Sequence, residues 1–287
     1  MGSYISFPHL GITFHTDSIA FSIGEKDIYW YGVIIAFGFA LAIFTGVQLA
    51  KRYNMKPDTV IDIVLWAAPI AIVCARLYYV AFQWDYYSAH PEDIIKIWNG
   101  GLAIYGAILS AIVVSVIYCK VKKENFRLFA DIGAVGLSIG QCIGRWGNIF
   151  NQEAFGTNTN LPWGMTGNVI RSELYTMMSG GMNVSPEIPV HPTFLYESLW
   201  NLVFIITSLL LFKRRKFDGQ VFASYLMYYG IGRFMIESLR TDSLYFGPFR
   251  VSQLVAVGCF FAGALITFYY MRVKKQITEK AGVINEE

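Results

Sequence analysis

The chain has 287 residues, 55% of them hydrophobic and only 15% charged, with a formal net charge of +3 and a mean hydropathy of +0.43. Soluble domains carry about a quarter charged residues, so this balance excludes an ordinary water-exposed fold. The small positive surplus gives no reason to expect a nucleic-acid partner.

The chain starts without a basic segment or a small-residue cleavage site, so no signal peptide is expected. Met1-Gly2-Ser3-Tyr4-Ile5-Ser6 fits a myristoylation pattern, which an extracytoplasmic N-terminus would keep from a cytosolic enzyme. Seven apolar runs come next: Ile28–Leu49, Thr59–Phe82, Gly101–Cys119, Leu128–Trp146, Pro192–Phe212, Val221–Leu239 and Val251–Met271. Each is near the ~20 residues that a helix needs to cross a bilayer, and each is continuous rather than alternating, which favours helices over strands. The sequence therefore predicts an all-α integral membrane protein with seven transmembrane helices. It predicts one membrane domain over residues 1–275, an insert at about 148–191 between spans four and five, and a tail at 276–287.

Orientation is set by lysine and arginine. Lys51, Arg52 and Lys56 lie in the first connection; Lys120, Lys122, Lys123 and Arg127 in the third; Lys213, Arg214, Arg215 and Lys216 in the fifth; Arg272, Lys274, Lys275 and Lys280 in the tail. The other connections hold chiefly Lys26, Lys96 and Arg171. By the positive-inside rule the N-terminus and the insert are outside and the C-terminus is cytoplasmic. Cys74, Cys119, Cys142 and Cys259 all fall in apolar runs, at no metal-like spacing, and read as packing residues. Gly136-Leu137-Ser138-Ile139-Gly140 imitates a hydrolase elbow, but with Gly144 it gives small residues at every fourth position of an apolar helix, which suits close helix packing.

Ionisable residues inside spans carry the functional signal, since each costs ~2.5–3.5 kcal/mol at mid-membrane. Arg76 lies near the outer end of span two. Gln141, Arg145, Asn148 and Gln152 step by i, i+4, i+7 and i+11, which places them on one helical face. Tyr225, Tyr229, Arg233 and Glu237 step by four along span six, with Arg240 beyond, while Tyr31 and Tyr105 enter from outside on spans one and three. Arg145 or Arg240 alone could be a snorkelling interface residue, and Arg233 with Glu237 could be one structural ion pair. Together Arg76, Arg145 and Arg233 suggest an anion site with few carboxylates, because guanidinium forks match phosphate oxygens. At this depth the anion is a phospholipid headgroup.

Gly144-Arg145-Trp146-Gly147-Asn148-Ile149-Phe150-Asn151-Gln152-Glu153-Ala154-Phe155-Gly156 resembles the signature of bacterial prolipoprotein diacylglyceryl transferases. Trp30-Tyr31-Gly32, Ala75-Arg76-Leu77-Tyr78-Tyr79-Val80, Gly100-Gly101, His191-Pro192-Thr193 with Leu195-Tyr196-Glu197, and Tyr229 to Arg240 are similar to the family in the same order. The resemblance implies a seven-helix enzyme of the bacterial cytoplasmic membrane with its site toward the outer leaflet. It implies transfer of the diacylglyceryl group of phosphatidylglycerol to the lipobox cysteine in a prolipoprotein signal peptide. A thioether forms, glycerol phosphate leaves, and no metal or organic cofactor takes part.

Position by position, Arg145 and Arg233 match the family's essential arginines. Asn148, Glu153 and Gly156 match positions that shape the lipid pocket, and Tyr31, Tyr229 and Glu237 match positions lining the site. Arg76, His191 and Arg240 complete the expected substrate-binding set. Where many members carry a histidine proposed as the base, this chain has Tyr105, read as a neutral hydrogen-bond donor. The thiol proton then goes to Glu237, to Glu153 or to the phosphate. The rival reading is a lipid or anion transporter, which would leave the phospholipid intact; the repeated halves usual in transporters are not visible.

Overall fold

The computed structural model of the chain describes residues 3–284, so Met1-Gly2 of the acylation pattern and the last three tail residues lie outside it. Among the described residues ten α-helices form from the apolar runs and the connections between them: α1 Trp30–Arg52, α2 Pro57–Phe82, α3 Trp84–Ala89, α4 Ile104–Lys122, α5 Phe126–Gly144, α6 Gly147–Asn151, α7 Asn168–Ser179, α8 Thr193–Arg214, α9 Gln220–Glu237 and α10 Val251–Ile284. Six stretches of the described residues are long and apolar enough to cross a membrane: α1, α2, α4, residues Phe126–Asn151, α8, and Val251–Val273 of α10. The remaining predicted run, Val221–Leu239, forms the helix α9, which carries tyrosines, Arg233 and Glu237 and is not one of these six. The expected tail does not begin as a separate segment, because α10 continues through residue 284.

Helix ends obey the sequence. Pro57 opens α2, where its missing N–H costs nothing. Lys51 and Arg52 close α1, and Lys213 and Arg214 close α8, where cations complement the helix dipole. Each of these helices therefore runs a few residues past its apolar core. Helices α9 and α10 pack along their length. A side chain at Gly230 would come within 2.5 Å of the Ala256 carbonyl, so glycine sets how closely the two backbones approach.

The helical architecture carries short strands outside the long helices. Short strands β1 Tyr4–Phe7, β2 Ile12–His15, β3 Ile19–Ile23 and β4 Lys26–Tyr29 precede α1, β5 Thr166–Gly167 lies in the insert, and β6 Tyr245–Phe246 and β7 Phe249–Arg250 precede α10. One sheet has the order β2-β1-β5, with Ile5 opposite Phe14 and Gly167; β3 pairs with β4, and β6 with β7. The insert is itself folded, around a core of Phe155, Met165, Ile170, Leu174, Val190 and Phe194.

The chain packs as two compact units. One joins the residues up to Ala42 to those from Gly133 on; the other is Ile43–Ile132. The boundaries fall inside α1 and α5. The second unit is held by α2 against α4 around Ile63, Ala67 and Cys119.

Candidate active site

The centre of the first unit is a carboxylate. Glu197, in the second turn of α8, is almost entirely buried and takes guanidinium groups from three directions. Arg145, in the turn between α5 and α6, places Nη2 2.6 Å from Glu197 Oε2. Arg233, on α9, places Nη1 2.9 Å from Oε1, and Arg240, just past the end of α9, places Nη1 3.4 Å from the same oxygen.

A second ring of contacts fixes those arginines. Glu237 sits one turn along α9 from Arg233, with Oε2 2.7 Å from Arg233 Nη2, and is only 1% exposed. Ser252 at the start of α10 accepts a further bond from that nitrogen at 3.2 Å. Arg240 forks onto Asp242, donating Nε to Oδ1 at 2.9 Å and Nη2 to Oδ2 at 2.6 Å. Burial alone pushes the Asp242 carboxyl up, but the Arg240 fork outweighs it and holds the group below the usual carboxylate range. Arg250 donates Nη1 to the Glu237 carbonyl and Nε to Tyr245 Oη, which ties the β6–β7 hairpin to the end of α9.

The expected set of arginines with few carboxylates is thus only partly right. The connected group holds Arg145, Arg233, Arg240 and Arg250 against Glu197, Glu237 and Asp242, a surplus of one positive charge. Arg145 is the most open of the three that touch Glu197, with 26% of its side chain exposed. Its Nε and Nη1 meet no protein acceptor among the described residues.

The four residues expected on one helical face go to four destinations. α5 ends at Gly144, and the Asn148 N–H reaches back only three residues to the Arg145 carbonyl. This tightens the turn and rotates the residues beyond it away from the helical count. Gln141 donates to Tyr225 Oη at 3.0 Å, Arg145 meets Glu197, and Asn148 donates to Glu153 Oε1 at 2.9 Å. Gln152 leaves the helix with φ of 52° and sends its buried side chain to the N-terminal strand, donating to Ser3 Oγ at 2.6 Å and to the Tyr4 carbonyl at 3.0 Å.

Ala154, at φ 56°, is a second non-glycine residue in the left-handed region, and Thr193 donates to its carbonyl. Two such conformations in three residues persist only where the surroundings enforce them. At Gly156 the loop runs antiparallel to Arg240; an added side chain there would lie 2.8 Å from His191 Cβ and 2.9 Å from the Leu239 carbonyl. The signature is therefore clamped to the segment that carries Arg240.

Among the other expected residues, Tyr31 lays its ring on Gly147, the first residue of α6. Tyr229 stacks on Tyr225, with ring centroids 5.9 Å apart. His191 lies beside Tyr196, with Nδ1 3.1 Å from the Tyr196 hydroxyl, and burial holds its pKa below the ordinary histidine value. Trp163 Nε1 donates to the same hydroxyl at 2.8 Å.

Arg76 and Tyr105 belong to the other unit. Tyr105 is half-buried in the first turn of α4. Arg76, 6% exposed, gives Nε to the Ile94 carbonyl at 2.8 Å and Nη2 to the Asp93 carbonyl at 2.6 Å. Its Nη1 serves the carbonyls of Gly100 at 2.7 Å and Gly101 at 2.9 Å. Gly101, at φ +75°, is where any side chain would collide with Arg76 Nη1. The Gly100-Gly101 pair thus lets the chain wrap the guanidinium. The expectation for Arg76 is corrected accordingly: backbone carbonyls occupy the donors that the sequence reading gave to phosphate.

Sequence reasoning missed Glu197 as a site residue. Its signal was available, since it is a carboxylate in an apolar span and part of a motif already noted.

The prolipoprotein diacylglyceryl transferase family model matches residues 18–269 of this chain. The chain is 46% identical over 262 residues to the phosphatidylglycerol–prolipoprotein diacylglyceryl transferase of Finegoldia magna, covering 91% of this chain and 97% of that one. It is 46% identical over 266 residues to the Limosilactobacillus reuteri protein of the same name, with coverages of 92% and 94%. For the Clostridioides difficile protein, again of that name, identity is 41% over 261 residues, with coverages of 91% and 97%.

Proposed function

The chain belongs to the prolipoprotein diacylglyceryl transferase family, and we propose that it carries out the transfer at the arginine cluster around Glu197. The diacylglyceryl group of phosphatidylglycerol passes to the thiol of a lipobox cysteine, forming a thioether and releasing glycerol phosphate. The observation that carries this reading is the surplus positive charge of the cluster together with the open side of Arg145. A phosphodiester monoanion would neutralise that surplus, with Arg145 and Arg233 as its donors. Charge that builds on the departing phosphate is met in part by Arg233, already held in place by Glu237 and Ser252, so little reorganisation of that guanidinium is needed as the bond breaks.

In this proposal α9 is the seventh span. It is tolerated in lipid because Arg233 and Glu237 pair with each other, and Arg233 with Glu197, rather than facing hydrocarbon. The N-terminal strands and the insert lie outside and the basic connections inside, which puts the cluster toward the outer leaflet of the cytoplasmic membrane. The signature loop, Asn148, Glu153 and Gly156 shape the lipid end of the site, with Tyr31 and Tyr229 along its wall. His191 supports the loop from behind. Tyr105 is read as a neutral hydrogen-bond donor from the family resemblance alone.

The test is direct. Purified protein is incubated with phosphatidylglycerol and a lipobox peptide, and the peptide is weighed by mass spectrometry. A peptide heavier by one diacylglyceryl group, with glycerol phosphate released in equal amount, is expected. An unmodified peptide beside intact phospholipid would defeat the reading.

A further inference from the structure

In the transfer proposed above, the cysteine thiol must lose a proton, since the thiolate is the nucleophile. The two carboxylates that the sequence reading considered for it keep partners that an incoming phosphate would not displace. Glu237 is 1% exposed, paired to Arg233, and its carbonyl is capped by Arg250. Glu153 accepts the side-chain amides of Asn148 and Asn151 at 2.9 and 3.1 Å. We propose that Glu197 takes the proton from the lipobox thiol and returns it to the departing phosphate, an inference that rests on the transferase reading of this site.

Placement is the first argument. Glu197 is the one carboxylate among the described residues paired with both Arg145 and Arg233. An anion shared by those two guanidinium groups must sit beside this carboxylate or take its place. The second argument is the division of labour on Arg233. Its Nη2 is held by Glu237 and Ser252, whereas among the described residues its Nη1 is held by Glu197 alone, at 2.9 Å. Arg233 can therefore turn Nη1 over to a phosphate oxygen without losing its orientation. Arg145 pairs with Glu197 through Nη2, and its more exposed guanidinium can meet a phosphate oxygen while that pair is kept or exchanged.

The exchange has a consequence for Glu197. A carboxylate that gives up Arg145 and Arg233 and keeps only Arg240, at 3.4 Å, is costlier to leave charged in an apolar surrounding. A proton from the thiol removes that cost. Binding of the phospholipid thus both fixes the leaving group and readies the acceptor next to it.

Atoms and electrons balance across the step. The S–H proton passes to a Glu197 oxygen while the sulfur electron pair forms the bond to the glycerol carbon. The bond from that carbon to the phosphate oxygen breaks, and its electron pair stays on oxygen. Glu197 then returns the proton to the phosphate, glycerol phosphate leaves as a monoanion, and the carboxylate recovers its arginines.

The experiment compares Glu197→Gln with wild type, using phosphatidylglycerol vesicles and two lipobox peptides, one with cysteine and one with selenocysteine. A selenol is ionised at neutral pH and needs no base. For the cysteine peptide, kcat should fall about a hundred- to ten-thousandfold, the range of general base catalysis. The KM for phosphatidylglycerol should stay level or fall, because a neutral amide competes less with phosphate for the guanidinium groups. The selenocysteine peptide should restore most of the lost rate. A merely structural Glu197 predicts a raised KM and a variant that selenocysteine helps no more than it helps wild type; either result overturns the proposal. Should Glu197→Gln fail to fold, Glu197→Asp keeps the charge. It is expected to keep the KM, to slow cysteine transfer about tenfold, and to regain that loss with selenocysteine; without that regain the proposal also fails. Wild type that transfers nothing would defeat the transferase reading itself, whereas active wild type with an unimpaired Glu197→Gln defeats the proton role alone.

Discussion

Arg76 and Arg233 are both arginines in helices of largely apolar sequence, and both are nearly withdrawn from solvent. Their partners differ in kind. Arg76 spends its nitrogens on four backbone carbonyls of residues 93–101, with the Tyr87 ring 5.1 Å from its guanidinium carbon. Those acceptors are neutral dipoles fixed in the chain, and no incoming anion can replace them without unfolding the loop. Arg233 is held by Glu197 and Glu237, whose charge has the same sign as a phosphodiester. Carboxylate partners hold a cationic site in readiness, whereas carbonyl partners consume it. Depth and residue type do not separate these cases; the chemistry of the acceptors does.

The largest expected effect tests the carbonyl side of this contrast. Arg76→Leu leaves several buried carbonyls unsatisfied at about 1–3 kcal/mol each, and we expect a loss of about 3–5 kcal/mol of stability. It should appear as a lower unfolding midpoint and as proteolysis within residues 90–101, exceeding any loss of rate per folded molecule. A normal midpoint with abolished transfer would return Arg76 to the substrate.

On the carboxylate side, Arg145→Lys and Arg233→Lys keep the charge but lose the planar fork. Each should raise the barrier by ~2.7–4 kcal/mol, roughly a hundred- to a thousandfold in single-turnover rate, with the protein still inserted and folded. Near-normal transfer by both would erase the distinction between the two arginine environments.

Tyr105 shares its unit with Arg76, so it asks whether that unit is scaffold alone. Tyr105→Phe should slow transfer by ~1.5–3 kcal/mol, the worth of a hydrogen bond to a charged group, without changing the pH dependence of the chemical step. An unaltered rate would make the unit a scaffold.

Gly156→Ala should cost about 1–3 kcal/mol through overpacking, since its Cβ meets His191 and the Leu239 carbonyl. It should weaken transfer by shifting Arg240. A variant of normal stability and rate would show that this clamp is dispensable.

The smallest effect concerns pH. Burial lowers the pKa of His191, so between its folded value and the unfolded value near 6.5 the unfolded chain binds more protons. Stability should therefore be complete above that window and decline as pH falls through it, and His191→Asn should flatten the slope. An identical slope in the variant would assign the acid loss to other groups.

Much of this was legible in the sequence. Continuous apolar runs gave the long helices, because a helix that meets lipid on several faces needs no amphipathic pattern. The N-terminal strands escaped because they are short, largely exposed, and paired partly with Thr166 and Gly167 far along the chain. Helix α7 escaped because it is short and lies in an insert without an apolar run, although Ile170, Leu174 and Met177 follow a helical spacing. Of the three arginines that the sequence reading drew together, Arg145 and Arg233 meet at one carboxylate while Arg76 serves backbone carbonyls, and Glu197 was overlooked: spacing along one helix reveals pairs such as 233 and 237, while a residue from α8 joins them only through packing. Gln152 was placed on the wrong surface for a related reason, since its left-handed backbone breaks the helical count.

Gln152 also bears on how the molecule is made. Its amide joins Ser3 and Tyr4 across 149 and 148 residues of chain, and β1 completes its sheet only with Thr166-Gly167. At roughly 5–20 residues per second of synthesis, the first strand waits on the order of ten seconds or more for its partner. During that interval Ile5, fully buried in the finished fold, has nothing to lie against but its own hairpin. The signature loop is in turn unsupported until the oldest part of the chain returns to it. Assembly of the site is thus gated by the survival of a marginal two-stranded hairpin, and substitutions that loosen β1 should act on yield from the cell before they act on rate.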